Sequence, residues 1–510
     1  MNRPKFFLRD LDSFIAALIG FLLIQTWASH SGIGVSPDSV VYMSTAANIR
    51  HHGVINDFTG TPMMDFPAGY PIFLSSIMLV TGLEPMQFAT VLNGLLFGLV
   101  IFLSGWMMQR FGTPNRVYKI LLLSIIIVSP CLLEVYSMVW SETLFLLLSM
   151  LFIMAARRYH LTHSIEAMAL LGLIAAVACV MRYAGVSLIL LGGFLMITDR
   201  GTTWGKKVVH ITLFGLISIS LAALNVYRNH LVTGTLTGYR EKAVTGLGKN
   251  LEYFGSVFCD WLPFFDDPYK YPALVGVICL LVCLAAWLFR LIRQHDEYSY
   301  DQIATAYFIV YSFFLLIIAS VSRFQQLDSR LMSPLFIPWL MGSSSWIPSV
   351  MARTDSQRKR RWLAAVALLG AVCMEYGEWD MYKFNWNGIK YAGIPGYTED
   401  SWTKSPTMDF VKKSPVLRNQ IPIYSNAYEG IWFFTGMATD LIPHKDLPWD
   451  VRDLMKEDRF YIVWFDDALN TDLLTIEDIQ KTKRLDTAYH FNDGAVYYFT
   501  TQPQQEVEVH

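Results

Sequence analysis

Residues Arg116 to Arg158 read RVYKILLLSIIIVSPCLLEVYSMVWSETLFLLLSMLFIMAARR. Two apolar windows, near 117–133 and 140–156, stand on either side of a short turn that holds Glu134 and runs up to Glu142. Basic residues close both outer ends. A helix over such a window can cross the hydrocarbon core, about 30 Å thick, and Lys and Arg gather in cytoplasmic loops. The stretch therefore reads as a helical hairpin that crosses a membrane, turns outside and returns.

The pattern extends over most of the chain. Further windows near 11–29, 86–108, 164–181, 183–198, 207–226, 272–292, 302–321, 331–349 and 361–376 bring the expectation to about eleven spans. Composition agrees, since 53% of the 510 residues are hydrophobic and 16% charged, too apolar for an average soluble domain of that size. A net charge of -2 provides no basic field and sets nucleic acid aside as a partner.

Charge bias orients the spans. Arg3, Lys5 and Arg9, then Arg110, Arg116 and Lys119, then Arg157 and Arg158 fall on one side. Arg200, Lys206 and Lys207, then Arg290 and Arg293, and finally Arg353 with the run Arg358 to Arg361 continue it. The short loops of the other side carry only Arg50, Arg182, Arg323 and Arg330. An odd number of spans then places the N-terminus in the cytoplasm and the C-terminal part outside. The first apolar run, Phe14 to Ile24 behind a basic start, reads as a retained signal-anchor helix, with a cleaved signal peptide as the alternative.

Phe66 to Thr81 is apolar, but Asp65 and Glu84 flank it and Pro67, Gly69 and Pro71 interrupt its start. Counting it as a span would invert every later loop against the charge bias, so it is expected to lie along the outer interface. Residues 30–85 become a first external loop and 227–271 a second. From residue 377 the chain turns polar and aromatic, and Ile421 to Tyr424, Phe460 to Phe465 and Ala495 to Phe499 look like strands. Helical patterns at Val451 to Lys456 and Thr475 to Lys483 separate them. The expected fold class is thus a polytopic α-helical membrane domain over 1–376 with a small extracytoplasmic α/β domain over 377–510. Cys131, Cys179, Cys279, Cys283 and Cys373 sit in apolar runs and Cys259 in a loop, which offers neither a disulfide framework nor zinc spacing.

Ionisable groups at the outer ends of spans are where a membrane enzyme would work, because charges near lipid tend to face cavities. Asp38 follows Ser36-Pro37, a good N-cap and first helical residue, so an acidic residue in the first turn has a capping explanation; the functional reading is a general base at the membrane surface. Glu142 opens the next span as a first-turn residue or as a second carboxylate. Arg182, beside Tyr183, either snorkels to the interface or binds a phosphate. Asp328 and Arg330 open a span containing Pro334 and Pro338, which allow local breaks; they form a local ion pair or contact a lipid phosphate.

Several motifs together resemble the GT-C superfamily of membrane glycosyltransferases, in the branch of the protein O-mannosyltransferases and lipid A aminoarabinose transferases (glycosyltransferase family 39-like). They are Asp38-Ser39-Val40-Val41-Tyr42, Phe66-Pro67-Ala68-Gly69-Tyr70-Pro71, Ser141-Glu142-Thr143-Leu144-Phe145, Arg182-Tyr183-Ala184-Gly185, Asp328-Ser329-Arg330 and Tyr424-Ser425-Asn426-Ala427-Tyr428-Glu429. Their order runs through nearly the whole chain.

The resemblance implies an inverting transfer from a polyprenyl-phosphate sugar donor to a hydroxyl of a glycan, lipid or protein acceptor on the extracytoplasmic face of the inner (cytoplasmic) membrane. It implies Asp38 as base, Glu142 as second catalytic acid, Arg182 and Arg330 on the donor phosphate, and Tyr42, Tyr70, Tyr183 and Asp328 as substrate-positioning groups. Ser39 stands where many relatives carry a second acidic residue, and one carboxylate is a thin ligand set for Mg²⁺ or Mn²⁺. No cofactor is firmly implied and no metal is assigned, a divalent ion remaining an unsupported alternative. A transporter or flippase for lipid-linked sugars is the rival reading, which predicts ionisable or broken-helix sites near the bilayer midplane.

Overall fold

A computed structural model describes residues 10–237, 243–265, 269–293, 298–322, 326–419, 421–466 and 472–501; Arg3, Lys5, Arg9 and Arg323 lie outside the described residues. The chain forms two compact units. The first holds the residues up to Ser29 with Pro62–Tyr391, the second His30–Thr61 with the residues from Ala392 on.

Every apolar window of the first unit falls on a helix or a closely broken helix pair. Among the described residues five helices are long and apolar enough to cross a membrane: Pro85–Met108, Glu142–Thr162, Trp204–Thr233, Pro272–Ile292 and Tyr300–Val321. A sixth arises if Arg116–Val128 and Pro130–Ser137, bent by 50°, count as one broken span; Leu11–Trp27, Ile165–Met181 and Tyr183–Thr198 are apolar but shorter. That measure supports fewer spans than the eleven windows suggested. Leu216, Ile219 and Leu224 on one long helix and Leu274, Ile278 and Leu281 on another are exposed. Such faces suit lipid rather than water.

Local chemistry explains the breaks. Asn115 caps Arg116–Val128 by accepting the Tyr118 N–H, and Pro130, which has no N–H to donate, restarts the chain as the first residue of the next helix. Pro334 and Pro338 behave differently from expectation, because helix Ser329–Ser344 runs through both. Proline at 334 deprives the Arg330 carbonyl of its usual donor, and the Ser333 hydroxyl donates to that carbonyl instead, at 2.8 Å.

Phe66 to Thr81 contains helix Gly69–Thr81. Gly69 lets it approach helix Ile165–Met181, since a Cβ there would stand 2.4 Å from the Val180 carbonyl oxygen. Cys259, expected in a loop, lies on helix Leu247–Trp261, which buries Phe254, Val257 and Phe258. An amphipathic pattern inside a long polar connection is easily read as loop. The polar turn of composition after residue 376 falls within helix Gln357–Ala392, because a helix meets its backbone hydrogen bonds internally whatever side chains it carries.

In the second unit, five strands, β1 Ile423–Ser425, β2 Asp440–Leu441, β3 Arg459–Phe465, β4 Lys483–Phe491 and β5 Gly494–Thr501, form one sheet of order β2-β1-β3-β5-β4. Strands β2, β1 and β3 are parallel, while β3–β5 and β5–β4 are antiparallel. Alternation along β3 feeds two cores: Tyr461, Val463 and Phe465 pack with Met408, Val411 and Ile431 on one face. Phe460 and Ile462 pack with Leu454 and Ile479 on the other. The helical pattern expected over Thr475 to Lys483 ends early, at Ile476–Gln480. Lys483 already opens β4, where β5 supplies the ladder partners.

The first half of the loop after the first window belongs to this unit. Ile394 N–H donates to Ser31 Oγ at 2.9 Å, Tyr397 N–H to the Val35 carbonyl at 2.7 Å, and His30 lies 3.4 Å from Asp400. Helix Pro37–His52 packs against helix Tyr428–Thr435.

Candidate functional site

In the first unit the structure joins three sequence-flagged residues. Glu142 is the first residue of helix Glu142–Thr162 and is 1% exposed. Arg182 Nη1 stands 2.5 Å from its Oε2, and Arg330 Nε donates to its Oε1 at 2.6 Å. Arg182 occupies the extended C-cap of Ile165–Met181, which aims it away from its own helix, and Nη1 also donates to Ser141 Oγ at 2.9 Å. The Arg330 guanidinium lies over the Trp140 ring, 3.9 Å from its centroid. Two guanidiniums thus converge on one buried carboxylate.

The neighbouring residues support this pocket. Asp328 is the N-cap of Ser329–Ser344 and accepts the Leu331 N–H at 2.8 Å. Tyr70 is fully buried with its hydroxyl at Thr143, and the Tyr183 hydroxyl donates to the Met64 carbonyl at 3.3 Å. Arg228 donates to the Met63 carbonyl at 3.0 Å, holding the same segment. Elsewhere in this unit an apolar cavity of about 480 Å³ opens between helices Val186–Thr198, Pro272–Arg293 and Tyr300–Val321. Phe194, Trp287, Phe313 and Ile317 help to line it, with no polar side chain.

Asp38 belongs to the second unit. Ser36 and Ser39 form a capping box and Pro37 starts the helix, so the capping explanation of this sequence is met in full. Asp38 is half-buried in the first turn, and Tyr42, one turn on, is buried.

A second cavity, of about 370 Å³, is lined by Pro37, Tyr397, Trp402, Tyr428, Glu429 and His444 among others. It adjoins the residues that follow β1 and β2, the carboxyl ends of parallel strands, where α/β sheets commonly bind ligands. Asn426 fixes that turn by pairing both ways with the Phe465 backbone, at 2.7 and 2.9 Å. Burial raises the Glu429 carboxyl to about 7, and the charge of Asp38 adds to the shift.

Glu429 escaped the sequence reading as a site residue although it ends a motif quoted for the resemblance. Its signal was an acidic residue directly after an Asn-Ala-Tyr turn at the end of a strand. The structure thus assembles Glu142, Arg182 and Arg330 in one unit, and Asp38 with Glu429 in the other.

No protein-family model and no curated protein sequence matches the chain. Solved structures do. ArnT from Cupriavidus metallidurans in the apo state is similar with a TM-score of 0.57 at 13% identity, over 94% of this chain and 97% of that one. The same protein bound to undecaprenyl phosphate gives 0.55 at 11% identity, over 96% and 97%. What these likenesses show is a fold held in common over nearly the whole of both chains. The particular architecture shared end to end is that of ArnT.

Proposed function

We propose that this protein is a multi-pass membrane glycosyltransferase that moves a sugar from a polyprenyl-phosphate donor to an acceptor hydroxyl on the outer face of the cytoplasmic membrane. The observation that carries the reading is the pair Arg182 and Arg330 gathered on Glu142, in a fold shared with a protein solved with undecaprenyl phosphate. Two guanidiniums gathered on one buried carboxylate offer planar, permanently charged forks of the kind that suits a phosphate anion. Glu142 holds the two forks in place and acts here as a positioning group. Tyr70, Tyr183 and Asp328 keep the surrounding backbone in register, and the apolar cavity accepts part of the isoprenoid chain.

Asp38 is the base in this account. It takes the proton of the acceptor hydroxyl as that oxygen attacks the anomeric carbon, the bond to the phosphate oxygen breaks, and polyprenyl phosphate leaves with inversion. That leaving group is already stable, so positioning and charge stabilisation provide most of the acceleration. Tyr397, Trp402 and Tyr428, with Glu429 and His444, give the second cavity aromatic faces and hydrogen-bonding edges, a lining suited to a sugar ring of the acceptor. Tyr42 supports the Asp38 helix from within.

Binding of undecaprenyl phosphate to the purified protein tests the donor half of this reading. Charge-assisted hydrogen bonds to an anion contribute about 1.5–3 kcal/mol, so Arg182→Ala is expected to weaken binding roughly 10- to 100-fold. Equal affinity of the wild-type and Arg182→Ala proteins would remove the cluster from donor binding.

A further inference from the structure

His160, His163 and Asp199 converge at the C-terminal ends of two helices, at the opposite end of helix Glu142–Thr162 from Glu142. His160 lies in the last turn of Glu142–Thr162, His163 is its C-cap, and Asp199 is the C-cap of Val186–Thr198. One donor atom from each falls within 4.8 Å of the other two. His163 Nε2 is 2.7 Å and His160 Nδ1 3.6 Å from the same oxygen, Asp199 Oδ2. The other oxygen, Oδ1, accepts the Gly201 N–H at 2.8 Å, which fixes the carboxylate with Oδ2 toward the histidines.

A hydrogen-bonded His163–Asp199 pair explains two of these residues and leaves the third unexplained. His160 is 5% exposed, and neither of its ring nitrogens has a hydrogen-bond partner. A buried polar group without a partner costs free energy, which calls for a ligand. The remaining described neighbours do not provide one: the Tyr298 ring lies against His160 tilted by 51°, with centroids 4.6 Å apart, and His210 Nδ1 is already joined to the Tyr159 hydroxyl at 2.9 Å. Arg157 points elsewhere, donating to the Tyr298 carbonyl at 2.8 Å. Gly201 also leaves space, since a Cβ there would stand 2.8 Å from the His163 ring.

We propose that His160, His163 and Asp199 bind a zinc ion that braces the ends of helices Glu142–Thr162 and Val186–Thr198. Two imidazoles and one carboxylate are a common zinc donor set, and neighbouring donors in a tetrahedral site stand about 3.3 Å apart. The present spacings bracket that value, so small side-chain rotations close the site. Water takes the fourth position. Gly201, by holding Asp199 Oδ1, is the outer partner that such a carboxylate usually has.

Zinc content of the full-length protein, purified in detergent without a polyhistidine tag and dialysed against micromolar free zinc, tests this. The wild type is expected to retain about one ion per chain, and His160→Ala and Asp199→Asn to lose it about tenfold or more. His51→Ala, at an exposed histidine of the other unit, should keep it. Cobalt substitution gives a readout independent of variant folding: wild-type protein should show the intense visible bands of a tetrahedral nitrogen–oxygen site. Absence of both zinc and those bands from folded wild type, or equal retention by wild type and both variants, overturns the site.

Discussion

Arg330 Nε donates to Glu142 Oε1 at 2.6 Å across 188 positions of chain. Both side chains are almost wholly buried, so removing the Glu142 charge leaves the Arg182 and Arg330 guanidiniums gathered without the carboxylate that holds them. Glu142→Gln should destabilise the protein by about 3–5 kcal/mol, read as a lowered thermal midpoint in detergent. Arg330→Lys should also destabilise it, because an ammonium cannot reproduce the guanidinium's contacts with both the carboxylate and the Trp140 face. A midpoint unchanged in both would show that the contact contributes nothing to the fold.

Glu429 gives stability a pH dependence of definite sign. Burial and the Asp38 charge raise its carboxyl from 4.5 to about 7. Between those values the unfolded chain has released the proton while the folded chain retains it. Stability therefore falls as pH rises through that window, by on the order of 1 to 3 kcal/mol, and is flat on this account below 4.5 and above 7. Denaturation midpoints of wild type and Glu429→Gln across pH 4 to 8 check it, the variant being expected to lack this slope.

The aromatic cavity of the second unit makes a kinetic prediction. If a sugar ring of the acceptor rests on Trp402, Trp402→Ala should raise the acceptor KM roughly 3- to 10-fold, the worth of one aromatic contact, and leave the donor KM unchanged. Trp402 also packs against Tyr397 and Phe465, so the assay is read beside a melting control. An altered donor KM with an unaltered acceptor KM would move the acceptor elsewhere.

Much of the helical framework was legible because apolar windows and proline positions act locally. Ser36-Pro37-Asp38 announced a helix start, whereas the break at Pro130 fell inside a window, 117–133, that read as one continuous span. Strand β4 was not legible: Lys483 to Phe491 lies at the sheet edge, largely exposed, so neither face imposes apolar alternation, and its first residue was absorbed into a helical pattern. Glu142, Arg182 and Arg330 could be flagged singly, but their meeting depends on three helix ends brought together by tertiary packing. His160, His163 and Asp199 gave no signal, since a His-x-x-His at a helix end and an aspartate 36 residues later resemble ordinary loop residues.

The most direct test is sugar transfer from a radiolabelled polyprenyl-phosphate-sugar pool in membranes carrying wild-type or Asp38→Asn protein at matched expression. A general base contributes about 10²- to 10⁴-fold, so the account predicts transfer by the wild type and a loss of that order in a folded variant. Undiminished transfer by Asp38→Asn would contradict the assignment of Asp38, and no transfer by the wild type would contradict the enzyme itself.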